Sequence, residues 1–214
     1  MTDFTSDDEE HDQEVSGCPL PAWMEGDSLA PPCQADMEVV KAIIEFAGVT
    51  ADDVLYDLGC GDGRICIAAA ETAGARACGV EIEEVLVAKF RRRVAAKGLE
   101  SKVSVIHGDL REVDLSDATV VITYLLPEAM ADLAESHLLP LLRVNSEAEP
   151  TSSSAGSVGS QFLTKVTASG SNNKRGCRIV CNTWGIPGAR AVKEEGVGPY
   201  EGVKLRLFTS DSLI

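Results

Sequence analysis

Apolar residues change their period several times along this 214-residue chain. Met37, Val40, Ile43, Ile44 and Ala47 recur at steps of three and four, which predicts an amphipathic helix. Asp36 stands where an N-cap belongs, and Gly48 stands where a left-handed C-cap belongs. The run that follows, "VLYDLG", is short and almost wholly apolar, as a strand buried on both faces must be. The pattern then alternates. An Ala-rich helix "RICIAAAETAG" leads to a strand "ARACGVEI" and a helix "EEVLVAKFRRRVAAKG", whose apolar side is expected at Val85, Val87, Ala88, Val94 and Ala95. Strands "KVSVIHGD" and "ATVVITYL", a helix "PEAMADLAESHLLPLLR" and a fifth strand "CRIVCNTWG" follow, and "VKEEG" with "VKLRLFTS" reads as a terminal antiparallel hairpin. Strands alternating with helices at this spacing predict an α/β fold: a Rossmann-like, doubly wound sheet of about seven strands, mostly parallel with an antiparallel C-terminal strand.

Two stretches break the alternation. Residues 1–14 carry seven acids and no Lys or Arg, so residues 1–28 are expected to be an acidic, solvated tail and irregular lead-in. Residues 145–175 are rich in Ser, Gly and Asn between a helix and a strand, where loops usually span about 2–6 residues, and read as a flexible surface insertion. The rest, 29–214, is expected to form one domain.

Charge narrows the partners. The net charge of −15 disfavours nucleic acid, whose phosphates would be repelled. No apolar run is long enough to span a membrane, and the acidic start resembles neither a signal peptide nor a basic presequence, so a cytoplasmic or nuclear protein is expected; the chain is also expected to be a monomer. The seven cysteines (Cys18, Cys33, Cys60, Cys66, Cys78, Cys177, Cys181) form no CxxC, and His11, His107 and His137 are scattered, so neither a disulfide framework nor a metal site is expected. Cys177 and Cys181 fall on one face of a strand. Arg91, Arg92 and Arg93 fall in the C-terminal half of a helix and read as surface charge matched to its dipole.

The candidate chemistry lies in "VLYDLGCGDGRI". The turn after the first strand of such a sheet is where ligands bind, and glycines there let a ligand approach bare backbone. The dinucleotide pattern GxGxxG fails because Arg64 stands where the third glycine should be. What stands instead is DxGxGxG, from Asp57 to Gly63, and a helix follows. This resembles the first motif of the class I S-adenosylmethionine-dependent methyltransferases. The resemblance implies that Asp57, Gly59, Gly61, Asp62 and Gly63 hold the methionine end of that cofactor, whose ammonium and sulfonium suit carboxylates. It implies that Glu81, ending the second strand, accepts from the ribose hydroxyls. Asp109 would accept from the adenine amine, with Leu110 packed near the ring. The plainer alternatives are that Glu81 caps the next helix and that Asp109 starts a turn.

"DDVLYDLGCGDGRICIAAA", "GVEI", "ATVVITYLLPEAM" and "CRIVCNTWGIPG", with the lead-in "LAPPCQADMEVV", are similar to a group of small methyltransferases related to the eukaryotic lysine methyltransferases of the ATP synthase c-subunit and the adenine nucleotide carrier. The likeness covers roughly residues 29–144 and 176–208; the acidic tail and the Ser-rich insertion depart from it. In this fold the residues after the fourth strand face the methyl group, which makes Tyr124 and Thr123 the candidate catalytic residues, followed by Leu125 and Leu126. Trp184, after the fifth strand, borders the same rim. The tetrapeptide [DNS]PP[YF] of amide and nucleobase methyltransferases is absent. The resemblance therefore implies methylation of lysine on a protein. The alternatives are a small-molecule N- or O-methyltransferase and a catalytically silent cofactor-binding module.

Overall fold

The computed structural model describes residues 35–144, 176–198 and 202–214. The acidic tail, all but the end of the lead-in, and the Ser-rich insertion lie outside the described residues. The chain order is α1 (Met37–Ala47), β1 (Val54–Leu58), α2 (Arg64–Ala68), β2 (Arg76–Glu81), α3 (Glu84–Ala96), β3 (Val103–His107), β4 (Val120–Thr123), α4 (Pro127–Leu133), α5 (Leu139–Val144), β5 (Arg178–Asn182), β6 (Lys193–Val197) and β7 (Val203–Phe208). The seven strands form one sheet in the order β3-β2-β1-β4-β5-β7-β6. β3, β2, β1, β4 and β5 run parallel; β7 is antiparallel to both β5 and β6. This is the doubly wound sheet that the alternation predicts. The expected terminal hairpin also forms, with its second strand inserted between β5 and β6.

Each strand divides its side chains between two cores. On one face Leu55, Ala77, Val103, Ile122 and Val180 meet α1, α2 and α3 through Ile43, Ile67 and Phe90. On the other, Tyr56, Leu58, Val80, Val121 and Ile179 meet α4 and α5 through Met130, Leu133, Leu138 and Leu142. Because β1 is covered on both faces, all five of its residues are buried, Asp57 included. Cys177 and Cys181 lie in the second core, on one face as expected; burial pushes each thiol up to about 12, so neither is a nucleophile at neutral pH.

Helix ends follow local chemistry, whereas helix faces answer to the sheet. Gly48 adopts φ 59° and its N–H donates to the carbonyls of Glu45 and Ile44, closing α1 as predicted. Asp36 occupies the N-cap position, but its side chain makes no capping bond. Met37 stays 42% exposed in the first turn, while Val39 and Phe46 turn inward. In α3 the buried residues are Val87, Phe90 and Val94; Val85 is 77% exposed, and Ala88 and Ala95 face solvent. The expected face is thus rotated. The reason is Phe90, whose ring gains more by burial than several small side chains and fits beside two glycines, Gly63 and Gly79. Between α4 and α5 the helix widens over Ala134–Leu138. Pro140 has no N–H for the carbonyl of Ser136, and the wider turn absorbs its ring.

A polar network fastens the amino ends of the strands. Asp53, 1% exposed, accepts from Thr50 N (2.7 Å), Thr50 Oγ1 (2.9 Å) and Thr119 Oγ1 (2.7 Å) and pairs with the Arg178 guanidinium. Arg178 also donates to the carbonyls of Ala47 (3.0 Å) and Gly48 (2.9 Å), so the end of α1, the start of β1 and β5 share one knot. Burial alone would raise the Asp53 pKa; the hydrogen bonds from Thr119, Arg178 and Thr50 outweigh it and hold the carboxyl below its ordinary value.

Candidate active site

The carboxyl ends of β1, β2 and β4 meet where the strand order reverses, between β1 and β4. The turn after β1 is built from Gly59, Gly61 and Gly63, at φ 78°, 55° and 77°. Side chains other than glycine rarely adopt such values, which explains the repeated glycine. The turn is laced to β2: Gly59 N and Cys60 N both donate to Val80 O, at 2.9 and 3.0 Å.

The three glycines do different work. A Cβ on Gly61 would meet nothing within 4 Å among the described residues, so its backbone borders space that these leave open to a ligand. A Cβ on Gly63 would fall 2.0 Å from Phe90 Cδ2, and one on Gly79, which faces Asp57 across β1 and β2, would fall 2.5 Å from Cys60 Sγ and 2.6 Å from Phe90 Cε1. Gly63 and Gly79 therefore make room for the core beneath the turn.

The carboxylates around the turn also separate by role. Glu81, 8% exposed, accepts from Gly61 N (2.8 Å) through one oxygen and from Ile82 N (2.9 Å) and Glu83 N (3.0 Å) through the other. It orders both the glycine turn and the approach to α3. Asp57 is 4% exposed and has neither a cation nor a hydrogen-bond donor among the described residues. Burial, with Glu81 and Asp62 nearby, pushes its carboxyl up to about 7. Asp62, by contrast, is clamped by Arg64 (3.1 and 3.0 Å) and Arg93 (2.6 Å). Burial would raise its pKa, but these guanidiniums hold it below its ordinary value. Arg93 is therefore no simple surface charge, although Arg91 and Arg92 are exposed. Arg64 also donates to the Ala35 carbonyl at 2.7 Å, linking the turn to the residue before the N-cap of α1.

Asp109 follows β3 and caps the short turn Leu110–Glu112, accepting from Arg111 N at 2.9 Å. The Arg111 guanidinium grips both of its oxygens, at 2.6 to 3.0 Å, and these bonds lower its pKa. Leu110 is buried beside it. At the end of β4, Thr123 is 1% exposed; its hydroxyl lies by the Cys181 thiol of β5 and makes no well-formed hydrogen bond among the described residues. Tyr124, the next residue, is half-buried, and its ring stacks on Trp184, with centroids 6.4 Å apart and planes 18° from parallel. Beyond β5, Asn182 is buried and Thr183 has φ 73°, the one non-glycine residue with positive φ among those described. Nothing local in the sequence marks Phe90, Arg93 or Thr183; each matters through residues distant in the chain or through a backbone angle.

Among the described residues no group of three or more His, Cys, Asp or Glu can hold a metal ion, and no helix is long and apolar enough to cross a membrane.

Known proteins resemble this chain in sequence and fold. The family model of the ANTKMT methyltransferase domain matches residues 57–143. A "Protein-lysine N-methyltransferase" of Saccharolobus islandicus is 40% identical over 111 residues, which cover 50% of this chain and 69% of that protein. A ribosomal protein L11 methyltransferase of Clostridium botulinum is 29% identical over 96 residues, but this stretch spans 30% of its length. Among solved structures, an RNA methyltransferase from Salinibacter ruber in complex with S-adenosyl-L-homocysteine superposes with a TM-score of 0.61 at 32% identity, covering 83% of this chain and 93% of that one. With the glycine turn, the carboxylates at successive strand ends and the strand order already in place, these likenesses make the chain a member of the class I S-adenosylmethionine-dependent methyltransferases.

Proposed function

We propose that this methyltransferase modifies the side-chain amine of lysine on a protein, with Asp57, Glu81 and the glycine turn holding the cofactor and Tyr124 lining the acceptor side. The observation that carries the acceptor is the 40% identity to a protein named as a protein-lysine N-methyltransferase, along 69% of that protein's length.

The residues fit the cofactor chemically. Among the described residues Gly61 faces open space and Asp57 is a buried carboxylate without a cation; an ammonium-bearing ligand would supply what it lacks. Glu81 can accept from ribose hydroxyls while its other bonds hold the turn. Asp62, neutralised by Arg64 and Arg93, shapes the turn rather than meeting the cation. Asp109 can receive the adenine amine if Arg111 yields one of its bonds. Bound there, the cofactor supplies a methyl group on a positively charged sulfur, which leaves as a neutral thioether. The chain's own work is to align the amine in line with that methyl and to exclude water. A lysine ammonium must first lose its proton, which a hydroxyl at Tyr124 can help to orient towards solvent. Thr123, buried behind it, fixes the end of β4 rather than touching the acceptor.

The protein's −15 charge suits a basic protein substrate. The test is incubation with tritiated S-adenosylmethionine and cell extract, followed by mass spectrometry of the labelled fraction. Methyl-lysine in a protein is the expected product. Label confined to small molecules, or entering RNA, would overturn the lysine reading and leave the cofactor assignment standing.

A further inference from the structure

The turn that carries the chain out of β5 has an unusual build. Thr183 has φ 73°, and Trp184 N donates to Asn182 O at 3.0 Å, two residues back. Together these define a γ-turn of the positive-φ kind, which is rare and strained, and more so at a β-branched residue. The surroundings hold it: Thr183 N donates to Lys204 O at 2.8 Å, and Thr183 Oγ1 donates to Asn182 Oδ1 at 2.9 Å on a buried side chain. The next residue is Trp184. Its ring lies nearly parallel to that of Tyr124, which follows β4, so two neighbouring strand ends share one half-buried aromatic wall. Strain held in place beside a site calls for a role.

We propose that the Thr183 γ-turn is a positioning device which sets Trp184 against Tyr124 as a wall for a cationic acceptor, an alkylammonium, so that Trp184 determines specificity. This deepens the lysine reading and rests on it. An ammonium over an aromatic face is attracted to the ring quadrupole, and an N-methylated ammonium remains so, because it keeps its charge while shedding hydration. A wall of this kind retains an amine after one methyl has been added. Each round breaks the sulfur–methyl bond, forms a nitrogen–methyl bond, and releases the neutral thioether and one proton to solvent.

The probe is tetramethylammonium, with tert-butyl alcohol as its neutral isostere and sodium chloride as the ionic control. All are added to the full chain saturated with S-adenosylhomocysteine. The readout is the indole N–H resonance of Trp184, assigned with Trp23→Phe because the chain has two tryptophans. Saturable shifts with tetramethylammonium, at least about threefold tighter than with the alcohol, are expected. Equal affinity for both, or no shift with either, would overturn the proposal. Trp184→Leu should abolish the preference and Trp184→Phe should retain part of it. Should Trp184→Leu fail to fold, Thr183→Gly serves instead: glycine accepts φ 73° without strain, so melting temperature should hold, but it loses the Oγ1 bond to Asn182 and frees the turn to take other angles, so Trp184 is held less firmly and affinity for the cation should fall severalfold. Unchanged affinity in Thr183→Gly would overturn the positioning role. These measurements need no acceptor protein. Cation binding together with label found only in small molecules would discard the protein acceptor and keep the aromatic wall.

Discussion

Two buried aspartates sit four residues apart at opposite ends of β1, and their chemistry is opposed. Asp53, at the amino end, is encircled by Thr50, Thr119 and Arg178 and titrates below its ordinary value. Asp57, near the carboxyl end, has no such ring among the described residues, and burial beside Glu81 and Asp62 lifts it to about 7. Both are almost inaccessible, so burial does not distinguish them. Partners do. At the amino rim the charges of Asp53 and Arg178 answer each other within the chain and serve stability. Among the described residues the carboxyl rim supplies Asp57 with no cation, an arrangement that suits a cationic ligand.

The largest effect should come from opening the amino rim. Asp53→Ala strands the Arg178 guanidinium and should cost about 3–5 kcal/mol, seen as a drop on the order of 10 °C in melting temperature, with cofactor affinity of the folded protein unchanged. A loss of affinity without a loss of stability would break the division between the rims. Next, Gly63→Ala should destabilise by about 2–4 kcal/mol, because its methyl would strike Phe90 in the core and the residue has φ 77°. Gly61→Ala should cost only about 1 kcal/mol of stability, for its own φ of 55°, and should weaken S-adenosylhomocysteine instead, as calorimetry can show.

Asp57→Asn should act in the reverse sense to Asp53→Ala. Removing an unpaired buried charge should leave the ligand-free protein as stable or more so, while cofactor affinity falls about 10- to 100-fold, roughly 1.5–3 kcal/mol. The smallest effect is in pH. The folded-state pKa of Asp57 is above its unfolded value of 3.8, so its contribution to stability is present below about pH 4 and is lost as pH rises towards 7. Asp53 runs the other way: its contribution is present above 3.8 and disappears as pH falls through its depressed value. Cofactor affinity should rise through pH 7 as Asp57 ionises, with proton release on binding measurable in buffers of different ionisation enthalpy. Asp57→Asn should flatten that profile.

Much of this was legible without coordinates. Hydrophobic period marked the five parallel strands and the helices between them, because a buried strand and an amphipathic helix impose different spacings on any sequence, whereas the exposed β6 was expected only as part of a terminal hairpin. The spacing of Asp57, the glycines and Glu81 marked the glycine turn and the carboxylate that orders it, because these residues are close in the chain and follow the strand ends. Helix faces were less legible: the Val85, Ala88 and Ala95 side of α3 proved to be solvent-facing, since Phe90 outweighs them in the core.

What the chain determines locally is therefore the order of its elements, the glycine turn and the stop at Gly48, each set by backbone sterics within a few residues. Only the tertiary structure decides which carboxylates stay charged, since that depends on whether Arg93, Arg178 or no cation arrives from elsewhere. It alone divides the glycines into one with open space beside it among the described residues and two that yield to Phe90. And although the sequence already placed Tyr124 and Trp184, sixty residues apart, on one rim, only the structure stacks their rings, because β4 and β5 are neighbours in the sheet and not in the sequence.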